Sequence, residues 1–85
     1  MEVIFAPKAL KDLKHWKSSG NNKIQKKISD LITAISEDPF TGIGKPELLK
    51  HEFAGCWSRR INEEHRIIYE VSSHSVEILS LKDHY

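Results

Sequence analysis

Three side chains that together could cut RNA are spread through the second half of the sequence: Glu47, Arg66 and His84. Cleavage of an RNA linkage by its own 2′-hydroxyl needs a base for that hydroxyl, positive charge for the phosphorane, and an acid for the 5′-oxygen. A glutamate is ionised at neutral pH, a histidine is substantially protonated, and an arginine is always charged. These residue types predict a small, metal-independent ribonuclease that forms a 2′,3′-cyclic phosphate, or the 3′-phosphate after its hydrolysis, and a 5′-hydroxyl.

Each of the three residues also has a plain interpretation. Glu47 could be an ordinary exposed carboxylate in a loop, and Arg66 could simply pair with Glu64 or Glu70. His84 could belong to a frayed tail, because the ends of a chain rarely hold anything in place. The residue types alone therefore leave the ribonuclease hypothesis open.

The sequence gives no sign of a metal site, a cofactor or a serine nucleophile. The remaining histidines lack zinc-ligand spacing and cysteine companions, and Ser58 has no evident partner acid or base. The single cysteine, Cys56, excludes an intrachain disulfide and fits a reducing compartment. We expect it to be a small residue of the core.

Length and composition indicate one domain, residues 1–85, near the lower limit for a self-sufficient core. The net charge of +1 is lower than that of a free-standing nucleic-acid binder. The N-terminus has no signal-peptide pattern, and no apolar stretch approaches the roughly 20 residues that span a bilayer. We therefore expect a soluble cytoplasmic protein with no membrane partner.

Positive charge is concentrated in the first third of the chain, where Asp12 is the only acidic residue between residues 8 and 27. These lysines either form the solvated faces of two helices or provide a docking surface for RNA-rich or acidic partners. They are Lys8, Lys11, Lys14, Lys17, Lys23, Lys26 and Lys27.

The pattern of apolar residues predicts one strand and two helices first. Residues 3–5 are β-branched and aromatic, and Pro7 suits the first turn of a helix. We expect the first helix to bury Leu10, Leu13 and Trp16, and Gly20 with either following asparagine to separate it from the second. The second helix should end before Pro39 and bury its periodic apolar residues: Ile24, Ile28, Leu31, Ile32 and Ile35.

The rest of the chain predicts a loop at residues 39–46 and then strands. A short extended piece at residues 48–51 precedes a hairpin of residues 57–62 and 65–71, and residues 76–82 form the last strand. The fold class is therefore α+β: an N-terminal strand, two helices, and an antiparallel strand meander packed against the helices.

Two strands conflict with simple alternation. In the last strand Val76 and Ile78 share one face while Leu79 and Leu81 share the other, which a bulge or partial burial of both faces would explain. In the hairpin, a two-residue turn at Glu63–Glu64 would place Arg60 and Arg66 on opposite faces. A site that uses both arginines therefore predicts a turn of odd length or a bulge.

Two runs resemble the YoeB toxins of the RelE/ParE superfamily of toxin–antitoxin systems. They are Pro39-Phe40…Gly42…Gly44-Lys45-Pro46-Glu47-Leu48-Leu49-Lys50-His51 and Gly55-Cys56-Trp57-Ser58-Arg59-Arg60-Ile61-Asn62-Glu63-Glu64-His65-Arg66-Ile67-Ile68-Tyr69, with the terminal His84-Tyr85. The resemblance covers nearly the whole chain, although Cys56 stands where an aromatic residue is common. It implies a bacterial toxin that binds the ribosome, cuts messenger RNA in the A site, forms homodimers and is neutralised by an antitoxin.

The resemblance also implies roles for individual residues. Glu47 would be the general base, His84 the general acid, and Arg66 the group that stabilises the transition state. Binding or orientation of the RNA would fall to Lys50, Arg60 and Tyr85, with a contribution from Glu64. Tyr85 is the better candidate for stacking on a base, whereas Trp57 and Tyr69 are expected to pack in the protein.

Two rival functions belong to other classes. The ParE branch of the superfamily consists of non-enzymatic inhibitors that bind a DNA topoisomerase, and fold alone does not separate the branches. A plain RNA-binding regulator is the third hypothesis. Glu47 together with His84 favours the nuclease, because a protein that only binds has no need of an acid–base pair.

Overall fold

The computed structural model describes residues 1–83, so that His84 and Tyr85 lie outside the described residues. The elements in chain order are β1 (Glu2–Phe5), α1 (Pro7–Ser19), α2 (Asn22–Glu37), β2 (Glu47–Leu48), a 3-10 turn (His51–Phe53), β3 (Trp57–Arg60), β4 (Arg66–Val71) and β5 (Ser75–Asp83). This order confirms the predicted α+β class. Neither α1 nor α2, the two α-helices within residues 1–83, is long and apolar enough to cross a membrane.

The five strands form one sheet in the order β1-β5-β4-β3-β2. Strands β2 to β5 pair antiparallel as a meander, whereas β1 pairs parallel to β5, from Glu2 opposite Ser75 to Phe5 opposite Ile78. A parallel pair requires a long crossover connection. The two helices and the meander supply it, and they make the first and the last strand neighbours in the sheet.

The helix boundaries follow the predicted local signals. Pro7 occupies the first turn of α1, and Gly20 ends that helix with a left-handed φ of 72°. The side-chain oxygen of Asn21 accepts a hydrogen bond of 3.1 Å from the Ile24 amide, which caps α2. Pro39 follows Asp38, the C-terminal cap of α2, as expected.

Both helices pack on one face of the sheet. As predicted, α2 contributes Ile28, Leu31 and Ile35 to this core, with Ile24 and Ile32 at its margin. The prediction for α1 is wrong at Leu10, which is 54% exposed, because the helix turns Ala9, Asp12 and Trp16 inward instead. The small Ala9 allows close approach, and the two polar side chains find backbone partners on β5.

Both explanations offered for the last strand are correct, but the predicted shared face of Leu79 and Leu81 is wrong, because Leu81 joins Val76 and Ile78 in the core under the helices. Ile68 pairs with Ser80 and Tyr69 pairs with Ile78, so that Leu79 is an extra residue in the ladder. Leu79 packs on the face away from the helices, in a second cluster that the segment after β2 covers. This cluster contains Leu49, Phe53, Cys56, Ile68 and Leu79, which confirms Cys56 as a core residue.

Candidate active site on the open face of the sheet

The hairpin between β3 and β4 places two arginines side by side. Arg60 pairs directly with Arg66, and the loop between them has five residues, 61–65, rather than the two-residue turn at Glu63–Glu64. The side-chain oxygen of Asn62 holds this loop, because it accepts the amides of Glu64 and His65 at 2.9 Å and 2.7 Å. The loop thus has the odd length that a site shared by both arginines requires.

The register of the sheet assigns the predicted residues to one face. Glu47 is paired with Ser58, and Arg66 is paired with Arg60 on one side and Asp83 on the other. Directly opposed residues share a face, and so do residues two apart on a strand such as Ser58 and Arg60. Glu47, Arg60 and Arg66 therefore lie on the face away from the helices, here called the open face.

Glu47 and the arginines occupy neighbouring rows of that face. Strands lie about 4.8 Å apart and alternate residues about 6.8 Å apart, which puts the backbones of Glu47 and Arg66 about 12 Å from each other. The two long side chains can approach a single phosphate from opposite sides across such a gap. Glu47 and Arg60 are exposed, and Arg66 is half-buried.

The Arg66 guanidinium is directed by its own hairpin. Its Nη1 donates to the carbonyl oxygen of Asn62 at 3.0 Å and to that of His65 at 3.3 Å. Within residues 1–83, these partners are carbonyl groups rather than the Glu70 carboxylate that a structural ion pair would use. The guanidinium thus keeps its positive charge available to an anionic ligand.

Of the other predicted site residues, two lie outside the strands and two lie outside the described residues. Lys50 and Glu64 are exposed, the first between β2 and the 3-10 turn and the second in the 61–65 loop, and the strand register assigns neither to the open face. His84 and Tyr85 lie outside the described residues. Asp83, which precedes them, is opposite Arg66.

Sequence reasoning missed Arg59, the residue that holds the loop leading to Glu47. Arg59 is fully buried on the helix side of the sheet. Its Nε donates to the Tyr69 hydroxyl at 3.1 Å, and its Nη1 donates to the Ile43 carbonyl at 3.1 Å. Its Nη2 donates to the carbonyls of Asp38 and Thr41 at 2.6 Å and 2.9 Å. One signal could have revealed it: Arg59 alternates with Trp57 and Ile61, in phase with the core.

The hydrogen bonds from Arg59 to the loop that leads to Glu47 are here called the Arg59 anchor. Tyr69 and Gly42 complete this anchor. The Tyr69 hydroxyl donates to the Pro39 carbonyl at 2.7 Å, and burial raises the pKa of the phenol, an effect that the Arg59 hydrogen bond partly offsets. Gly42 has a φ of 127°, and a Cβ there would lie 3.0 Å from Arg59 Nη1, which explains the glycine. The amide of Phe40 and the hydroxyl of Thr41 hold the pKa of Asp38 below its ordinary value.

The described part of the site contains no evident metal-binding group. Among residues 1–83, no three histidine, cysteine, aspartate or glutamate side chains are grouped so that they could hold an ion. Burial raises the pKa of the Cys56 thiol, which disfavours the thiolate that binds metals or attacks electrophiles. The chemistry on offer is that of a carboxylate and two guanidinium groups.

Comparison with known proteins identifies relatives of the whole chain. The profile described as "YoeB-like toxin of bacterial type II toxin-antitoxin system" matches residues 5–85. Toxin YoeB of Synechocystis is 49% identical over 70 residues, which is 82% of this chain and 81% of the relative. Toxin YoeB of Escherichia coli K12 is 42% identical over 85 residues, the full length of both chains.

Solved structures of such proteins share the fold. The YoeB/ParE toxin from Agrobacterium tumefaciens is 38% identical, with a TM-score of 0.91 over the full length of both chains. In Staphylococcus aureus, a heterotetrameric YoeB–YefM toxin–antitoxin complex gives a TM-score of 0.86 and a YoeB dimer one of 0.88. Each is 41% identical and covers 100% of this chain and 98% of the other.

Proposed function

Because this chain belongs to the YoeB-like toxins of bacterial type II toxin–antitoxin systems, we propose that it is a ribosome-dependent endoribonuclease. It cuts messenger RNA in the A site and thereby inhibits translation. The observation that carries the proposal is the open face, where Glu47 shares a surface with the directly paired Arg60 and Arg66. A carboxylate opposite two guanidinium groups suits an RNA linkage whose 2′-hydroxyl must lose a proton and whose phosphate must gain negative charge.

In this mechanism Glu47 accepts the proton of the 2′-hydroxyl, which then attacks the adjacent phosphorus. Arg66 stabilises the charge that develops on the phosphorane oxygens, and it is already oriented by the carbonyls of its hairpin. His84 donates a proton to the departing 5′-oxygen. What supports this last role is the position of Asp83, the preceding residue, opposite Arg66.

The remaining predicted residues bind the substrate. Arg60 lies beside Arg66 and is exposed, so it suits a non-bridging oxygen of the same or the neighbouring phosphate. Lys50 and Glu64 orient the RNA from the segments that flank the site, and Tyr85 stacks on a base. The reaction needs no metal or cofactor, because the RNA supplies its own nucleophile.

The partners follow from the same proposal. A net charge of +1 suits a nuclease for which the ribosome, in the cytoplasm, supplies most of the RNA docking surface. An antitoxin encoded by a neighbouring gene neutralises the protein with an acidic segment that is disordered before it binds. The toxin–antitoxin complex and the YoeB dimer known for the Staphylococcus aureus relatives support an antitoxin partner and a homodimer.

Single-turnover cleavage on ribosomes carrying a messenger RNA codon in the A site tests the proposal. We expect Glu47→Ala, Arg66→Ala and His84→Gln each to slow cleavage by about 10²–10⁴-fold. Glu70→Gln is the matched control, since Glu70 is exposed on the open face of β4 but away from the arginines. Loss of less than about threefold for His84→Gln would remove that residue from the acid role. Intact transcripts accompanied by DNA damage in expressing cells would overturn the nuclease in favour of a topoisomerase inhibitor.

A further inference from the structure

Both backbone polar groups of Leu81 are bound by side chains of α1. The Leu81 amide donates to Asp12 Oδ2 at 3.0 Å, and the Leu81 carbonyl accepts from Trp16 Nε1 at 2.9 Å. All three residues are buried, with 7% of Asp12 and 6% of Trp16 exposed. These two hydrogen bonds, here called the α1 tether, join residues that are 65 and 69 positions apart in the sequence.

The position of the tether explains why it is needed. Strand β1 pairs with β5 only as far as Ile78, whose carbonyl accepts the Ala6 amide at 2.9 Å. Beyond that point β5 has no neighbouring strand on this side, although Leu81 is fully buried. Buried backbone groups must find partners. Two α1 side chains therefore take the place of a strand along this edge of β5.

Further contacts extend the same attachment toward the end of β5. The Lys8 ammonium lies 2.8 Å from Asp12 Oδ2 and 3.9 Å from Asp83 Oδ2, while the Ser80 hydroxyl donates to Asp83. The Trp16 ring packs edge-on against His65 with centroids 4.9 Å apart, and His65 immediately precedes Arg66. Helix α1 thus contacts β5 and the loop residue that immediately precedes β4.

We propose that Asp12 and Trp16 are positioning residues for His84. This inference rests on the proposed function, in which His84 is the general acid. By fixing the Leu81 peptide three residues earlier, the tether sets where the described part of β5 ends, with Asp83 opposite Arg66 and directly before His84 in the sequence. Proton transfer requires such placement, because an error of about 1 Å in a reacting group can cost on the order of 10²-fold in rate.

The chain allows the tether to be cut with small changes. Trp16→Phe keeps an aromatic ring against His65 but removes the N–H donor. Asp12→Ala removes the acceptor, whereas Asp12→Asn keeps a side-chain oxygen for the Leu81 amide and should rescue it. The matched control is Asp30→Asn, which loses an exposed ion pair with Lys26 within α2.

Amide hydrogen exchange and 15N relaxation of the free protein test the tether without any cleavage assay. We expect Asp12→Ala and Trp16→Phe to speed exchange at Leu81 and to increase the mobility of residues 82–85, relative to wild type. Asp12→Asn and Asp30→Asn should resemble wild type. Unchanged exchange and mobility in both cutting variants would overturn the proposal.

Single-turnover cleavage on programmed ribosomes tests the purpose of the tether. We expect Trp16→Phe to lower the maximal rate by about 10-fold while ribosome affinity stays unchanged. In a His84→Gln background the same change should have less than about a twofold effect, because the residue it positions is gone. Equal losses in both backgrounds would show a merely structural role. A wild-type protein that leaves messenger RNA intact would instead overturn the proposed function, and the exchange result would still decide whether α1 orders the chain after Leu81.

Discussion

Arg59 and Arg60 are neighbours in the sequence, but their side chains lie on opposite faces of the sheet. Arg59 is fully buried on the helix side of the sheet, where carbonyl groups and a phenol take up its N–H donors. Arg60 is exposed on the open face beside Arg66. Strand alternation alone produces this division. Exchange of either arginine therefore tests a different property, stability for the first and RNA binding for the second.

Tyr69 makes the unfolding free energy sensitive to alkaline pH. Burial raises the pKa of its phenol in the folded state, so the folded protein holds the proton more tightly than the unfolded chain does. The resulting stability is complete below the unfolded pKa of about 10 and is lost as the pH rises through the folded pKa.

The variant Tyr69→Phe tests this linkage. At neutral pH it should lower the unfolding free energy by about 1 kcal/mol, because the hydrogen bond to the Pro39 carbonyl is lost. Above pH of about 10 its unfolding free energy should fall less steeply than that of wild type. Urea denaturation across a pH series measures both effects. If the unfolding free energies of the two proteins fall in parallel above that pH, Tyr69 is not the source of the alkaline sensitivity.

At the scale of elements, the loop of residues 38–46 receives more side-chain hydrogen bonds from Arg59 than from any other described residue outside it. Three of its carbonyl groups, those of Asp38, Thr41 and Ile43, accept hydrogen bonds from Arg59. The loop ends at Glu47, and strand β2, with only two residues, can fix its position with few hydrogen bonds of its own. The anchor therefore sets where the proposed base enters the open face.

We expect Arg59→Lys to lower the unfolding free energy by about 2–4 kcal/mol, because an ammonium group cannot reproduce the planar set of donors and leaves buried carbonyls without partners. Arg60→Lys is the matched control and should change it by less than about 0.5 kcal/mol, since that side chain is exposed. Denaturant unfolding measures both. Similar costs for the two variants would contradict the assignment of the anchor to Arg59.

The sequence predicted those elements whose signals are local. The period of α2, its Asn21 cap and the strands of the meander all follow from residues close to one another. The inward face of α1 could not be predicted in this way, because the buried Asp12 accepts a hydrogen bond from the Leu81 amide, 69 residues away. The parallel pairing of β1 with β5 likewise depends on the crossover and not on β1 itself.

The sequence predicted which residues form the candidate site, but not which residues hold them in place. The residues Glu47, Arg60 and Arg66 were chosen from chemistry and resemblance, and the register places them on one face. The odd length of the loop between the two arginines was predicted as a condition of a shared site, whereas the roles of Arg59 and Asp12 depend on hydrogen bonds between distant segments. Residue spacing carries no information on such bonds.

At the scale of the whole molecule, the basic helices and the candidate site lie on opposite sides of the sheet. The helices bury their apolar sides against one face, so most of their lysines are exposed on that side of the sheet, although the half-buried Lys27 lines a cavity together with Arg60. An antitoxin that blocks the site and also neutralises the helices must therefore reach both sides of the sheet. A partner that contacts only the solvent side of the helices would leave Glu47 and Arg66 uncovered.

The expected homodimer makes thermal stability depend on protein concentration. Within residues 1–83, six large apolar side chains are 43–54% exposed, which is apolar surface that a second copy could cover: Met1, Ile4, Leu10, Phe40, Ile43 and Leu48. Because only folded chains associate, dimer formation stabilises the folded state by mass action. The midpoint of thermal unfolding should therefore rise across a roughly hundredfold increase in protein concentration. Calorimetry measures this, and light scattering gives the mass of the folded species. A constant midpoint with a monomeric mass would contradict the dimer, whichever surface it was expected to use.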